Sequence, residues 1–409
     1  MIEEEEKSFE KVKTLISGSF GNIFLVKKTE PVKPDQDDNS CGDNSENSEV
    51  SDSDNFLILK EPNCDYGTCE MSKNECNILA HLSSSSSSSP YFVKMKHFAE
   101  AKNGINIYSE YFENYIDLFD FIHHHKSDDN FLLLYEISRQ IIRAVGVIHN
   151  DANVVHLDIK PENILIDPKS GQVKLIDFGL SLYFPSSATA VVTSGKKDEN
   201  DSQEKQEQEK LVESLHLSDK GTTDYKPPEL FVDVNDCHKQ TTFLSRVFPP
   251  PNSPFKMSTY YYSCSCSKNG DKEKIRLTKE EEQAVKVAKS IDLWSIGQTL
   301  YALLTGNLFF QSPLFKYYLV NCRGLNLEEE SYKGEYEHNV RRMWQKNLKH
   351  LSRQFPDGLL PIETLALNVQ SVKDAKARHP RQYSCLMENI TQLLSLIPEN
   401  RKLVQLHEL

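Results

Sequence analysis

Four polar residues, Asp158, Lys160, Asn163 and Asp177, have the types and spacing to do chemistry on a phosphate. Carboxylate and amide oxygens are the ligands that a hard cation such as Mg²⁺ selects, and Asp158, Asn163 and Asp177 supply them. Lys160 lies two residues beyond the first carboxylate, where its charge can offset negative charge on a moving phosphoryl group. Far upstream, Gly18 and Gly21 stand in Ser17-Gly18-Ser19-Phe20-Gly21. Missing side chains there would let backbone N–H groups close over phosphate oxygens. That turn alone is weak, because glycine turns in hairpins are common. Lys60 closes the apolar run Phe56–Leu59, and alone it reads as a solvated ammonium on a snorkelling stem. The stretch from Val155 to Leu165, followed by Lys174-Leu175-Ile176-Asp177-Phe178-Gly179, carries the specificity.

The elements that must position these groups change character along the chain. Phe9–Lys28 holds two apolar runs broken by the glycine turn, which predicts strand, tight turn, strand. Phe56–Lys60 predicts another strand, Met71–Leu82 has helical periodicity, and Ile105–Tyr111 is strand-like. Helices are then predicted over 131–149, 284–304, 336–351 and 384–397. A strand-rich front and a helix-rich back imply an α+β protein of two lobes.

With these motifs in place, the sequence resembles the eukaryotic protein kinase family through nearly all of the chain outside its insertions. The resemblance implies one bilobal domain over 9–409: a small antiparallel β lobe at about 9–111 and a larger helical lobe at about 112–409. It implies a protein serine/threonine kinase that uses ATP and Mg²⁺. Asp158 would accept the proton of the substrate hydroxyl, with Lys160 beside it. Asn163 and Asp177 would hold the metal. Gly18, Gly21, Ile23, Lys60, Glu75, Glu110 and Phe112 would contact the nucleotide or position its contacts. Lys60 would pair with Glu75 of Asn74-Glu75-Cys76-Asn77-Ile78-Leu79; Glu70 is the rival partner. Lys160 and the Gly221-Thr222-Thr223-Asp224-Tyr225 segment match kinases that act on serine and threonine. Glu229, in Pro227-Pro228-Glu229, would pair with Arg401, and Asp292 would hold the catalytic-loop backbone.

Three departures from the family pattern matter. Ile16 occupies the place of the first glycine, which predicts a stiffer loop. Leu157 stands where the family has the arginine that pairs with a phosphorylated activation loop, so activity should not need phosphate between Asp177 and Glu229. Ser109, ahead of Glu110-Tyr111-Phe112, is small and should admit bulky ATP-competitive compounds. Ile16 and Leu157 also keep open a second reading, a catalytically weak ATP-binding scaffold.

Composition sets the outer bounds. The 409 residues are 38% hydrophobic and 26% charged, as in globular proteins, which argues against wholesale disorder and fibrous repeats. The net charge of −13 argues against nonspecific nucleic-acid binding. Much of it lies in residues 30–54, with nine acids against Lys33 alone. Residues 30–54, the serine run 83–89 and residues 186–220 have too little apolar surface to offset ordering entropy, so they read as solvated insertions. Residues 231–284 form a fourth insertion of undetermined order. It contains Cys237-His238 and Cys264-Ser265-Cys266, whose spacing matches no standard zinc module and reads as free thiols. Removing these insertions leaves roughly 290 residues, the size of one catalytic domain. The uncharged stretch 293–315 contains Ser, Gly, Gln, Thr, Asn and Pro, so it reads as a buried helix and loop. Nine irregularly spaced cysteines and no signal-peptide core suit reduced thiols in the cytoplasm or nucleus. The expected partners are protein substrates, with no nucleic acid or membrane, and the expected state is a monomer.

Overall fold

A computed structural model describes residues 9–18, 21–29, 55–63, 66–84, 90–125, 130–184, 191–193, 220–231, 253–255, 272–274, 279–320, 327, 333–404 and 406. Five antiparallel strands build the first lobe: β1 (Phe9–Gly18), β2 (Gly21–Lys28), β3 (Phe56–Pro62), β4 (Met95–Ala101) and β5 (Gly104–Glu110). Their order is β1-β2-β3-β5-β4. Helix α1 (Tyr66–Ser84) joins β3 to β4. The alternation of strand side chains sorts this lobe into two faces. Val26, Leu59, Ala99 and Tyr108 form a small cluster on one, while Ile105 and Ile107 belong to the main core together with Ile78 and Leu79 of α1.

The second lobe is built on α2 (Phe131–Asn150), α3 (Lys279–Thr305), α4 (Lys333–Gln354), α5 (Ile362–Ala366), α6 (Gln370–Arg378) and α7 (Pro380–Leu393). In α2 the residues Leu134, Ile137, Ile141, Ala144, Val145 and Ile148 recur at spacings of three and four and are buried. They form the apolar stripe of an amphipathic helix. The second half of α3 is buried nearly all round, and Trp294 packs edge-on against Phe309 and Trp344. No helix among the described residues is long and apolar enough to cross a membrane.

Short strands on either side of α2 carry the predicted chemistry. β6 (Ile116–Asp117), β8 (Ile164–Ile166) and β9 (Val173–Leu175) form one sheet, and β7 (Val154–Val155) pairs with β10 (Leu182–Tyr183). The loop carrying Asp158 to Asn163 thus leaves β7 and enters β8, and Asp177 follows β9.

The insertions require correction where they are described. Ser83 and Ser84 are the last residues of α1 rather than part of a solvated run, and the Ser83 hydroxyl donates to the Leu79 carbonyl at 2.8 Å. Residues 186–220 are not wholly unstructured. Val191–Thr193 (β11) pairs antiparallel with Lys272–Lys274 (β12), so the third insertion engages the fourth. Lys220 is buried. The fourth insertion is also shorter than expected, because α3 already begins at Lys279. Residues 30–54, Cys237, His238, Cys264 and Cys266 lie outside the described residues.

One ion pair ties the turn at Pro228–Phe231 to the C-terminal segment. The Arg401 guanidinium donates to both Glu229 oxygens at 2.6 and 2.9 Å, and also to Ser290 Oγ and the Ser395 carbonyl. Its side chain is 0% exposed. Removing one partner of a buried bidentate pair strands the other charge. Glu229→Ala should therefore cost about 3 kcal/mol of stability, read as a lower denaturant midpoint, and Glu229→Gln clearly less.

Candidate active site

Lys60 is the junction of the site. From β3 its Nζ reaches Glu75 Oε2 on α1 at 2.7 Å and Asp177 Oδ1 after β9 at 2.9 Å. Glu70, the rival partner, instead meets Lys73 at 3.2 Å. Five residues from Glu75, Glu70 points along another direction of the helix. Burial alone would lower the Lys60 pKa, but the carboxylates of Glu75 and Asp177 outweigh it and hold the ammonium above the ordinary lysine range. For Asp177, burial pushes the pKa up, and the Lys60 charge overrides it and holds the carboxyl below the usual range.

The loop from β7 to β8 presents Asp158 with both carboxylate oxygens in contact with neighbouring side chains. Asp158 Oδ1 accepts from the Thr222 amide at 2.9 Å and from the Thr222 hydroxyl at 2.8 Å. Its Oδ2 lies 3.1 Å from the Asn163 amide nitrogen and 3.2 Å from Lys160 Nζ. Lys160 also donates to Thr222 Oγ1 at 2.9 Å. Asn163 bonds Asp158 through its nitrogen alone, leaving its oxygen as the atom suited to a cation.

Two backbone features impose this geometry. Leu157 adopts a φ of 66° and Asp177 one of 62°, left-handed values that non-glycine residues seldom take. Asp292, fully buried in α3, holds the first in place: its carboxylate accepts the amides of His156 and Leu157 at 2.8 and 2.7 Å, and His149 Nε2 lies 2.8 Å away. Gly221 has a φ of 80°, and a Cβ there would collide with the Leu157 carbonyl. Only glycine lets the chain pass that close and deliver the Thr222 amide to Asp158.

Lys60, Glu75, Asp158, Lys160 and Asp177 line one cavity of about 270 Å³, with Ile105 and Ile107 of β5 as its apolar wall. Asp158 and Lys160 also line a second cavity of about 460 Å³, with Glu162, Thr222, Thr223, His123 and Glu337. Gly18, Gly21, Ile23, Glu110, Phe112 and Asn163 line neither cavity. Ile23 is the strand partner of Lys60 and Gly18 that of Gly21. Gly21 has its own steric reason, since a Cβ would strike the Glu61 carbonyl on β3. The Glu110 side chain turns to β4, where it meets Lys96 at 2.9 Å and the Lys94 amide at 3.2 Å. Phe112 lies under Lys174, 4.9 Å from the ring centroid. Ser109 follows Ile105 and Ile107 along the same face of β5. Ile16 is 58% exposed.

Asn74 was not singled out in the sequence. Its amide nitrogen donates to the carbonyls of Gly179 and Ser181, both at 2.9 Å, and so fastens α1 to the segment after Asp177. Its signal was a polar, poor helix former inside a helical pattern, at positions 74 and again at 77.

A protein kinase domain profile matches residues 56–242. A probable serine/threonine-protein kinase, pkgA, from Dictyostelium discoideum is 31% identical over 173 residues, which is 42% of this chain and 11% of that protein. The serine/threonine-protein kinase pim-2 from Danio rerio is 35% identical over 113 residues, 28% of this chain and 27% of that protein. The chain thus spans only 11% and 27% of these relatives' lengths. A chain in the structure of the CAK complex of Chaetomium thermophilum bound to ATP-gamma-S shares the fold at a TM-score of 0.50. Its identity is 16%, over 98% of this chain and 89% of that one. These matches and the bilobal architecture show a kinase-like fold in which residues 56–242 fit a protein kinase domain profile.

The charge arrangement around Lys60 has a pH signature. The Asp177 pKa is held down by Lys60, so its contribution to stability is present above the ordinary carboxylate range and lost as pH falls through the lowered folded value. In Lys60→Met the burial of Asp177 is unopposed and its pKa rises. The gap in unfolding midpoint between wild type and Lys60→Met should be widest at neutral pH and shrink from about pH 6 to about pH 3. A gap that stayed constant with pH would show that Lys60 does not control this carboxylate.

Proposed function

We propose that the protein is a serine/threonine kinase that transfers the γ-phosphoryl group of ATP to hydroxyl groups of protein substrates. The observation that carries this reading is the position of Asp158 and Lys160 in the wall shared by two cavities. One cavity holds Lys60 and Asp177 and suits the nucleotide. The other, larger and lined by residues of the helical lobe, suits the polypeptide that bears the hydroxyl.

Lys60 would bind the α- and β-phosphates, held in place by Glu75. Asn163 and Asp177 have the oxygen atoms to hold Mg²⁺, which when bound would neutralise phosphate charge. Asp158 would orient the substrate hydroxyl and take its proton as that oxygen bonds to the γ-phosphorus and the bond to the β-phosphate oxygen breaks. Lys160 would stabilise the charge on the transferring group, and Thr222 would keep Asp158 and Lys160 in register. The Lys160–Thr222 bond of 2.9 Å supports the preference for serine and threonine, as do the serine/threonine kinases among the relatives.

The test is transfer of labelled phosphate from ATP to a generic basic protein. Wild type should be active, and Asp158→Asn should lose about 10²–10⁴-fold in kcat. Leu157 is buried and apolar, so phosphatase-treated protein should keep its activity. Absence of transfer by wild type, with ATP still bound, would favour the scaffold reading to which Ile16 and Leu157 point.

A further inference from the structure

The insertion after Phe231 returns to the first lobe. Its residues Ser253–Phe255 lie against α1 and β4. Asn77 Nδ2 donates to the Phe255 carbonyl at 3.1 Å, and the Phe255 amide donates to Asn77 Oδ1, also at 3.1 Å. The Phe255 ring meets the Phe98 ring edge-on, with centroids 5.2 Å apart and planes at 73°. Asn77 is 0% exposed.

A side-chain amide that both gives and takes a bond with one residue's backbone acts like a strand partner and recognises extended main chain. Asparagine is a poor helix former, and a buried amide costs free energy unless both its ends are paired. At position 77 that pairing is supplied by a residue 178 positions downstream. Nearby residues of the same helix face the active site: Glu75 holds Lys60, and Asn74 holds the Gly179 and Ser181 carbonyls. Helix α1 is thus gripped from the active site by Asn74 and Glu75, and by the insertion through Asn77. The same insertion pairs through β12 with β11, in the segment that follows Asp177.

We propose that Asn77 and Phe98 form a docking site for the chain's own Ser253–Phe255 segment, and that its seating holds α1 where Glu75 meets Lys60. The insertion is then an internal activating strap. The effect on turnover rests on the kinase reading above; the docking itself does not.

The experiment uses the full chain with Phe255→Ala, Asn77→Ala and the conservative Phe255→Leu, and it reads amide hydrogen exchange and phosphoryl transfer. Phe255→Ala and Asn77→Ala should speed exchange in α1 and lower kcat, each by about five- to tenfold, the worth of a bidentate contact and a ring pair. Phe255→Leu should lie nearer wild type, and exchange in α4, remote from the contact, should not change. A synthetic peptide spanning residues 249–258 should restore α1 protection to Phe255→Ala, and the same peptide with alanine at 255 should not. Unchanged α1 exchange in both alanine variants overturns the proposal, whatever the transfer rates. Faster exchange with unchanged transfer overturns the activating role and leaves only docking. A wild type without transfer, whose variants still exchange faster in α1, counts against the kinase reading and not against the docking.

Discussion

One ammonium group organises this molecule. Lys60 comes from the sheet, Glu75 from the helix beside it and Asp177 from the segment after β9, so their meeting fixes three elements that share no local sequence. The Lys60–Asp177 contact spans 117 residues and links the two lobes. In water such a contact is worth little; in a half-buried cleft each carboxylate sees a stronger field, and the lysine's desolvation is offset only if both partners are present. The cavity beside it therefore depends on α1 being seated. Its apolar wall of Ile105 and Ile107 is covered by that same helix, and Ser72 of α1 accepts the Ile105 amide at 3.0 Å.

Two buried charges play the corresponding part in the helical lobe. Asp292 pins the loop behind Asp158 through two backbone amides, which stabilises the left-handed Leu157 against its steric cost of about 1–3 kcal/mol. Arg401 reaches from the C-terminal segment to Glu229 and to Ser290, two residues ahead of Asp292 on α3. The helix that positions the Asp158 loop is therefore also the floor on which the turn holding Glu229 rests. Gly221 and Thr222 close the circuit onto Asp158. Rigidity at Asp158 is built from these buried polar contacts, each fully partnered, on top of the apolar packing around Trp294.

How much of this was legible in the sequence depended on the range of the contacts. Asp158, Lys160 and Asn163 lie within six residues, so their meeting in one loop was legible from short spacing. The strands and helices followed from periodicity, with ends shifted by a few residues; α1 begins before Met71 and ends after Leu82. At Asn74 and Asn77 the only local signal was a poor helix former in a helical pattern, and their partners, 105 and 178 residues away, could not be read from it. Residues 186–220 read as wholly solvated for a related reason. The composition argument weighs apolar surface, whereas β11 and β12 meet by backbone pairing that composition does not register. Gly21 was legible as a turn glycine, but its close approach to Glu61 on the neighbouring strand was not.

The insertions also bear on how the segment after Asp177 is held. In the family pattern an arginine beside the catalytic aspartate captures a phosphate there; here Leu157 fills that position and is 2% exposed, committed to the core. A leucine cannot exchange a hydration shell for a phosphate, so the segment has to be ordered by other means. Three are visible: Gly221 and Thr222 on Asp158, Asn74 on Gly179 and Ser181, and the pairing of β11 with β12. The first two join residues of the kinase-like fold itself. The third belongs to the insertion that also grips Asn77, so one segment touches both elements that a loop phosphate would otherwise have to coordinate. Leu157 in the core and the insertion on Asn77 and β11 thus belong to one arrangement, in which contacts within the chain touch both elements.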